Sequence, residues 1–484
     1  MGLDPGLRRL ALGTLLAAYP GAVPPQWAVD LVADGLAGHT LFGTNVHDPA
    51  QLAASTAALR AGRSDVLIAI DEEGGDVTRL AHATGSPYPG NAALGAVGDV
   101  ALTRRVYQSI GAELAALGIT VNLAPTVDVN TADDNPVIGT RSFGADPLLV
   151  AAHSAAAVSG LQTAGVAACA KHFPGHGATV TDSHHELPTV DVPLELLRQR
   201  DLPPFAAVIT AGTQAVMTAH IRVPALTGDG PATFSRAVLV DLLRDEYGFT
   251  GTVITDALEM KGAAVAAGGV GPAAVRALSA GADLLCIGAQ VDAALVEHVA
   301  AEIAEATSDG RLPIARVEEA AGRAAALAAW TRAAGRSPAD PEPDLGYAVA
   351  RRAVRVEGLL TGLEEPLVVQ LHTESTMAEG RVPWGLGPHL DGAREIRVVA
   401  SETDQAAVRE LAGNRPIVLV GRHLHRLPGG PELIDALAAA HPVTVVEMGW
   451  PATWRPSGVR AFVTTYGASH ANGRAAAEAL GLTG

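Results

Sequence analysis

Short runs of apolar and β-branched residues recur along the first two-thirds of the chain. They fall at 39–42, 66–70, 120–123, 166–170, 215–217, 252–254 and 283–287, with Ala- and Leu-rich helical stretches such as 101–117 and 148–164 between them. Strands that alternate with helices pair in parallel through crossover connections. Seven such runs suit a (β/α)8 barrel of the TIM type better than an open sheet, although no eighth run of equal strength stands out. Several runs end in a polar residue or lead to one within a few positions: Asp71, Asp128, Lys171-His172, His220 and Asp256. In a (β/α)8 barrel the carboxyl ends of the strands form the active-site face. A doubly wound sheet would gather such residues at one switch point instead of around a ring.

The barrel pattern ends near Trp330. The stretch GRSPADPEPD, from Gly335 to Asp344, is rich in proline and acid and reads as a linker. Beyond it, runs at 366–370, 396–400, 417–420, 443–447 and 461–464 alternate with helices such as 432–440. The expected organisation is therefore an α/β chain with a catalytic barrel at 1–334, a linker at 335–345 and a C-terminal α/β sandwich at 346–484. Near the start, Arg8-Arg9 precedes the apolar stretch Leu10 to Tyr19, which has the look of a secretion signal. The run is short and no small-x-small site follows before Pro20, so it reads as part of the fold. No run of about 18 apolar residues is present to span a bilayer.

Charge and cysteine content narrow the function classes. Lys+Arg 34 against Asp+Glu 51 leaves a formal charge of −17. That argues against nucleic acid and against an anionic membrane surface as partners. Cys169 and Cys286 both lie in apolar runs and cannot build a disulfide framework, which suggests a reducing, cytoplasmic setting.

The densest polar cluster is KHFPGHGATVTDSHHE, Lys171 to Glu186. Pro174, Gly175 and Gly177 break regular structure there, so a long loop leaves the end of the fourth run. In Asp182-Ser183-His184 a carboxylate two residues from an imidazole can accept its N–H, fix its tautomer and raise its pKa, which makes a proton donor for neutral pH. The chain has only two lysines, Lys171 and Lys261. A lysine inside a polar cluster therefore invites a role holding hydroxyls or carboxylates. Asp256 and Asp71 follow strand-like runs and read equally as helix caps or catalytic carboxylates. Arg141 sits in a Gly/Pro-rich loop where a guanidinium could grip oxygens. There is no H-E-x-x-H, no phosphate loop, no dinucleotide fingerprint and no G-x-S-x-G elbow.

These residues resemble glycoside hydrolase family 3, and specifically its bacterial β-N-acetylglucosaminidase (β-N-acetylhexosaminidase) branch. The likeness runs from about residue 35 to 330 through GHTLFGTNV, DEEGGDVTRL, APTVDVN, NPVIGTRSFG, KHFPGHG followed by DSH, VMTAHI, PATFS, LRDEYGFTG and TDALEM. The resemblance implies a cofactor-free, metal-free retaining exo-glycosidase acting on N-acetylglucosaminides, chito-oligosaccharides or cell-wall fragments, as in peptidoglycan turnover. Asp256 would be the nucleophile, and His184 paired with Asp182 the acid/base. Asp71, Arg79, Arg141, Lys171 and His172 would bind the sugar.

Two departures stand out: Glu72 and Asp76 occupy positions where the family often has Gln and Arg. They are expected to make the mouth of the site acidic and to disfavour anionic partners. An imidazole acid/base does not repel an incoming anion as a glutamate would, so a phosphorylase using inorganic phosphate stays open as the alternative. A metal-dependent hydrolase and a catalytically dead sugar-binding protein are further rivals. Aromatic residues are only 4% of the chain, and Trp450 and Trp454 cluster late, where domain packing explains them. Scarce aromatics favour short substrates over polysaccharide.

Overall fold

The computed structural model describes residues 4–184, 186–288, 291–334, 340–342, 344–392 and 394–483. They pack as two compact units. One comprises Met1–Glu73, Thr103–Val137 and Ala145–Pro341; the other comprises Gly74–Leu102, Ile138–Gly144 and Glu342–Gly484. Sequence composition suggests a single boundary at 335–345, whereas packing assigns 74–102 and 138–144 to the C-terminal unit. Those excursions after the third and fourth barrel strands carry no compositional break. Within the linker stretch, 335–339 and 343 lie outside the described residues, and Leu345 already opens a helix, Leu345–Ala353.

The first unit is a parallel barrel of β1 (Leu15–Ala17), β2 (Gly38–Leu41), β3 (Leu67–Ile70), β4 (Val121–Asn122), β5 (Ala167–Phe173), β6 (Ala215–Thr218), β7 (Thr252–Thr255) and β8 (Leu285–Ile287). Each strand from β1 to β6 pairs with the next in parallel, and β8 pairs with β1. The β7–β8 seam is held by Thr255 N–H donating to the Leu284 carbonyl at 2.9 Å and by a bridge between Ile254 and Leu284. The eighth strand missing from the sequence pattern is thus Leu15–Ala17, within the stretch that resembles a signal. Its residues are buried, as parallel strands covered on both faces must be.

Local sequence explains the helices between strands. Asp48-Pro49, Asp146-Pro147 and Asp292 each start one. The aspartate accepts N–H groups of the first turn (Gln51 at 2.8 Å, Leu148 and Leu149 at 2.8 Å, Leu295 at 2.9 Å), and proline at the first helical position has no N–H to leave unsatisfied. Small and branched residues fill the barrel: Ala37, Leu67, Ala69, Val121, Ala167, Cys169, Ala215, Met217 and Ile254 pack together. Ala324, Leu327 and Ala328 of the helix Ile314–Ala333 join the same cluster.

The second unit is built on a six-stranded sheet of β9 (Arg355–Gly358), β10 (Leu367–Leu371), β11 (Arg394–Val398), β12 (Ile417–Gly421), β13 (Val443–Glu447) and β14 (Ala461–Thr464). The strand order is β11-β10-β12-β13-β14-β9. Five strands run parallel, and β9 is an antiparallel edge. All four β9 residues are exposed, so this strand has no apolar signature; charged side chains suit an edge. Apolar clusters cover both faces of the sheet. Trp450 is buried, and Trp454 meets Phe462 edge-on at 6.5 Å, so both tryptophans serve packing.

At the amino end of β8, the fully buried Asp283 gathers three guanidinium groups. Arg244 lies 2.5 Å away, Arg316 2.6 Å and Arg323 3.2 Å, and Val253 N–H donates to it at 2.9 Å. Removing the shared anion leaves buried cations facing one another. Asp283→Ala is expected to cost about 3–5 kcal/mol in denaturant unfolding, well above a typical surface substitution. A loss under 1 kcal/mol would show that the cluster contributes little.

Candidate active site

The carboxyl end of β3 leads directly into Asp71, Glu72 and Glu73. Lys171, near the end of β5, reaches Asp71 Oδ1 and Glu73 Oε1, each at 2.7 Å. The lysine is 2% exposed; an ammonium so far from water needs both carboxylates. Asn122 of β4 fixes the backbone between them, accepting Glu72 N–H at 3.0 Å and donating to the Glu72 carbonyl at 2.8 Å.

Asp128 is wholly buried beside the next residue. It accepts His172 Nδ1–H at 2.8 Å, His172 N–H at 3.3 Å and His176 N–H at 2.6 Å. Burial pushes its carboxyl up, but the His172 and His176 partners outweigh this and hold it below the ordinary aspartate range. The segment carrying it lies along β5, with Val127 N–H donating to the Lys171 carbonyl at 2.7 Å.

His176 organises the loop that follows. Thr179 Oγ1–H donates to the His176 carbonyl at 2.9 Å, so His176 Nδ1–H donates to Thr179 Oγ1 at 2.6 Å. Nε2, 3.2 Å from Ser183 Oγ, then accepts from that hydroxyl. Asn135 Nδ2–H donates to the His176 carbonyl at 3.0 Å, and Thr131 N–H to the Gly177 carbonyl at 3.1 Å. At the end of the loop, Asp182 Oδ1 accepts His184 N–H at 2.9 Å and His184 Nδ1–H at 2.6 Å. This leaves Nε2 as the nitrogen for chemistry. His185, in the same cluster, lies outside the described residues.

Asp256 follows β7 and accepts its neighbour's N–H, from Ala257, at 2.8 Å. Gly262 N–H donates to the Ser183 carbonyl at 3.3 Å, which ties the segment after Asp256 to the loop that ends in His184. Burial raises the Asp256 carboxyl, but His220, His172, His184 and the Ala257 N–H together pull it below its ordinary value. Burial pulls the fully enclosed His220 down, while the Asp256 carboxylate beside it pulls the other way. His220 is held at both ring nitrogens: Nε2–H donates to the Ala257 carbonyl at 3.0 Å, and Nδ1 lies 2.8 Å from Thr233 Oγ1, whose hydroxyl donates to the Ala219 carbonyl at 3.0 Å.

The structure therefore gathers Asp71, Lys171, His172, Asp182, His184 and Asp256 on strand ends and loops of the first unit. Glu73 and His176 had no assigned part in the sequence reading, and Asp128 and His220 stood out only as polar strand ends. Arg79 and Arg141 belong to the second unit. There Arg79 donates to the Ala378 carbonyl at 2.8 Å, and Arg141, in the turn Gly139–Arg141, is buried with its carbonyl accepting from Asn91 at 2.7 Å.

The expected acidic mouth is not what Glu72 and Asp76 form. Both are buried. Asp76 accepts Thr140 Oγ1–H at 2.6 Å and Ala468 N–H at 2.8 Å, and burial holds its carboxyl above the ordinary range despite nearby Arg422. It is a structural tie within the second unit, and neither acid presents exposed charge that would disfavour anionic saccharides.

Among the described residues no three His, Cys, Asp or Glu side chains converge as metal ligands. His172 and His184 each commit Nδ1 to a carboxylate. The Glycosyl hydrolase family 3 N terminal domain is matched over residues 21–327. The chain belongs to glycoside hydrolase family 3. Within the family, it is 37% identical over 331 residues to Beta-hexosaminidase A of Pseudoalteromonas piscicida, covering 63% of this chain and 55% of that protein. It thus spans about half the length of that relative. A solved family 3 beta-N-acetylglucosaminidase from Paenibacillus sp. str. FPU-7 is 34% identical with a TM-score of 0.88, over 99% of this chain and 97% of the other. A beta-glucoside phosphorylase, 18% identical with a TM-score of 0.76 over 98% and 91% of the two chains, shares the fold.

The loop explains its glycine at 177. A Cβ there would lie 1.9 Å from the Val129 carbonyl oxygen, so the loop could not keep its seat. Gly177→Ala is expected to lower kcat/KM on an aryl glycoside about 100-fold by displacing His184, with the unfolding midpoint little changed. Unchanged activity would show that the loop tolerates that displacement.

Proposed function

We propose that the chain is a retaining exo-β-N-acetylglucosaminidase that releases terminal β-linked N-acetylglucosamine from short saccharides, including chito-oligosaccharides and cell-wall fragments. The observation that carries this reading is the 2.6 Å Asp182–His184 hydrogen bond, on a loop tied through Ser183 and Gly262 to the segment after Asp256. Family membership and the hexosaminidase relatives support the substrate class.

In this reading Asp256 attacks the anomeric carbon while His184 Nε2–H protonates the departing oxygen. Asp182 supports the imidazolium and fixes which nitrogen holds the proton. The aglycone leaves, and neutral His184 then takes a proton from water as it displaces Asp256 from the sugar. The pulled-down Asp256 carboxyl suits a group that must stay ionised to attack. Asp71 and Lys171 would hold sugar hydroxyls, and His172 would be oriented for the same task by Asp128. No metal or cofactor is needed for these steps. The free, buried Cys169 and Cys286 suit a reducing compartment, which supports a cytoplasmic setting.

Two variants test the assignment on aryl β-N-acetylglucosaminides of graded leaving-group acidity. Asp256→Asn should lower kcat by about 10⁴-fold or more with every leaving group. His184→Ala should lose most on poor leaving groups and far less on acidic phenols, because those need no proton. Full activity of Asp256→Asn would remove the nucleophile assignment. In the unaltered chain the acid limb of kcat/KM should fall below pH about 3.9, because Asp256 protonates only below the ordinary aspartate value. Assays with and without millimolar inorganic phosphate decide the remaining alternative. Free N-acetylglucosamine at a phosphate-independent rate is expected, whereas a sugar 1-phosphate formed in proportion to phosphate would make the chain a phosphorylase.

A further inference from the structure

The strand order of the second unit creates a place for a ligand that the barrel chemistry does not use. From β10 the chain crosses to β11 on one side, then returns past β10 to β12 on the other. Connections leaving in opposite directions open a crevice at the carboxyl ends of the strands, where open α/β sheets bind their ligands. On the β11 side of β10 at that end of the sheet lies a cavity of about 300 Å³. This is at the lower end of the range that takes small molecules, roughly 300–1,000 Å³. Gln370 of β10, His372, Thr373 and Ser375 after it, Arg397 of β11, and Arg381 and Trp384 from the loop beyond all line it.

We propose that this cavity binds a small anionic saccharide, with its ring against Trp384 and its carboxylate or phosphate group taken by Arg381 and Arg397. The indole is held in place. Gln370 Nε2–H donates to the Trp384 carbonyl at 3.3 Å, and the Arg422 guanidinium lies 5.6 Å from the ring centroid. Gln370 can lie there because residue 385 is glycine, at φ +111°; a Cβ would come within 2.1 Å of Gln370 Oε1. Indole faces take sugar rings through their apolar C–H surface.

The polar lining supplies the other half of the recognition. In a chain of charge −17, the charged side chains lining this cavity are two exposed arginines. Arg397 has Glu395 only at 3.8 Å, the limit of an ion pair. Guanidinium forks match carboxylate and phosphate geometry. Gln370 is 4% exposed, and its Oε1 has no hydrogen-bond partner; nor does the buried Thr373 Oγ1. Saccharide hydroxyls are the donors and acceptors that such groups need. The volume is too small for a dinucleotide, and a bare anion would leave the indole unused.

Calorimetric titration of the full chain tests this with glucuronic acid and glucose 6-phosphate as anionic rings, N-acetylglucosamine as a neutral ring, and acetate and inorganic phosphate as bare anions. At least one anionic ring should saturate the protein about ten-fold more tightly than the neutral ring and the matching bare anion. The better of the two identifies carboxylate or phosphate as the preferred group. Arg381→Ala combined with Arg397→Ala should weaken that binding at least about ten-fold, and Trp384→Ala should weaken it separately, with the unfolding midpoint retained. Hydrolysis of a neutral aryl glycoside by the double arginine variant should be unchanged, so failure of the glycosidase reading and failure of this site are read separately. The proposal is overturned if neither anionic ring saturates, if a bare anion binds as tightly, or if the double variant binds as well as the unaltered chain.

Discussion

The carboxyl face of the barrel is organised around a carboxylate that water does not reach. Removing an ion such as Asp128 from water costs several kcal/mol. Three hydrogen bonds, from His172 N–H, His172 Nδ1–H and His176 N–H, offset that cost. Bonds to a charged partner contribute about 1.5–3 kcal/mol each. The balance works only while the chain between 172 and 176 keeps its course. The imidazole of His172 and the start of the His184 loop are therefore positioned by one group, and the bonds from His176 to Thr179 and Ser183 carry the constraint toward the dyad.

The two ends of the barrel handle buried charge differently. At the amino end of β8, Asp283 gathers arginines that also bind Glu319 and nearby backbone carbonyls, and the assembly is a clamp. At the carboxyl end, Asp71 and Glu73 share Lys171, and Asp128 and Asp182 each hold one imidazole through its Nδ1, leaving Nε2 turned elsewhere. Barrel enzymes separate stability from chemistry in this way. The same contrast explains why Asp256 is held ionised although it sits among groups that exclude water.

Where side chains repeat a physical pattern, the sequence was legible. Seven barrel strands showed as buried apolar runs, and strand ends marked Asp71, Lys171, His172 and Asp256 because a polar residue closing a buried strand is unusual. Asp182 and His184 were readable because their hydrogen bond is local. What escaped was non-local or unmarked. β1 is three residues long and reads as the tail of an amphipathic helix; only its pairing with β2 and β8 makes it a strand. β9 exposes every side chain. Asp76 looked like an acid at a site entrance, yet its partners Thr140 and Ala468 are far away in sequence. Glu73 and Asp128 needed Lys171 and His172 opposite them before a role could be read.

The pairing of Leu15 with Leu285 sets an order of events for a ribosome-borne chain. The barrel's first strand leaves the ribosome well before its partner on one side, which is made only after the six strands between them and their helices. Until then one edge of β1 is an unpaired apolar ribbon, and β2 alone shelters the other. Contacts this distant in sequence form slowly. Exposed strand edges invite association with other chains during the wait. The chain is therefore most vulnerable as a nascent polypeptide, and yield in a heterologous host should respond to synthesis rate and chaperone supply more than to the stability of the finished fold.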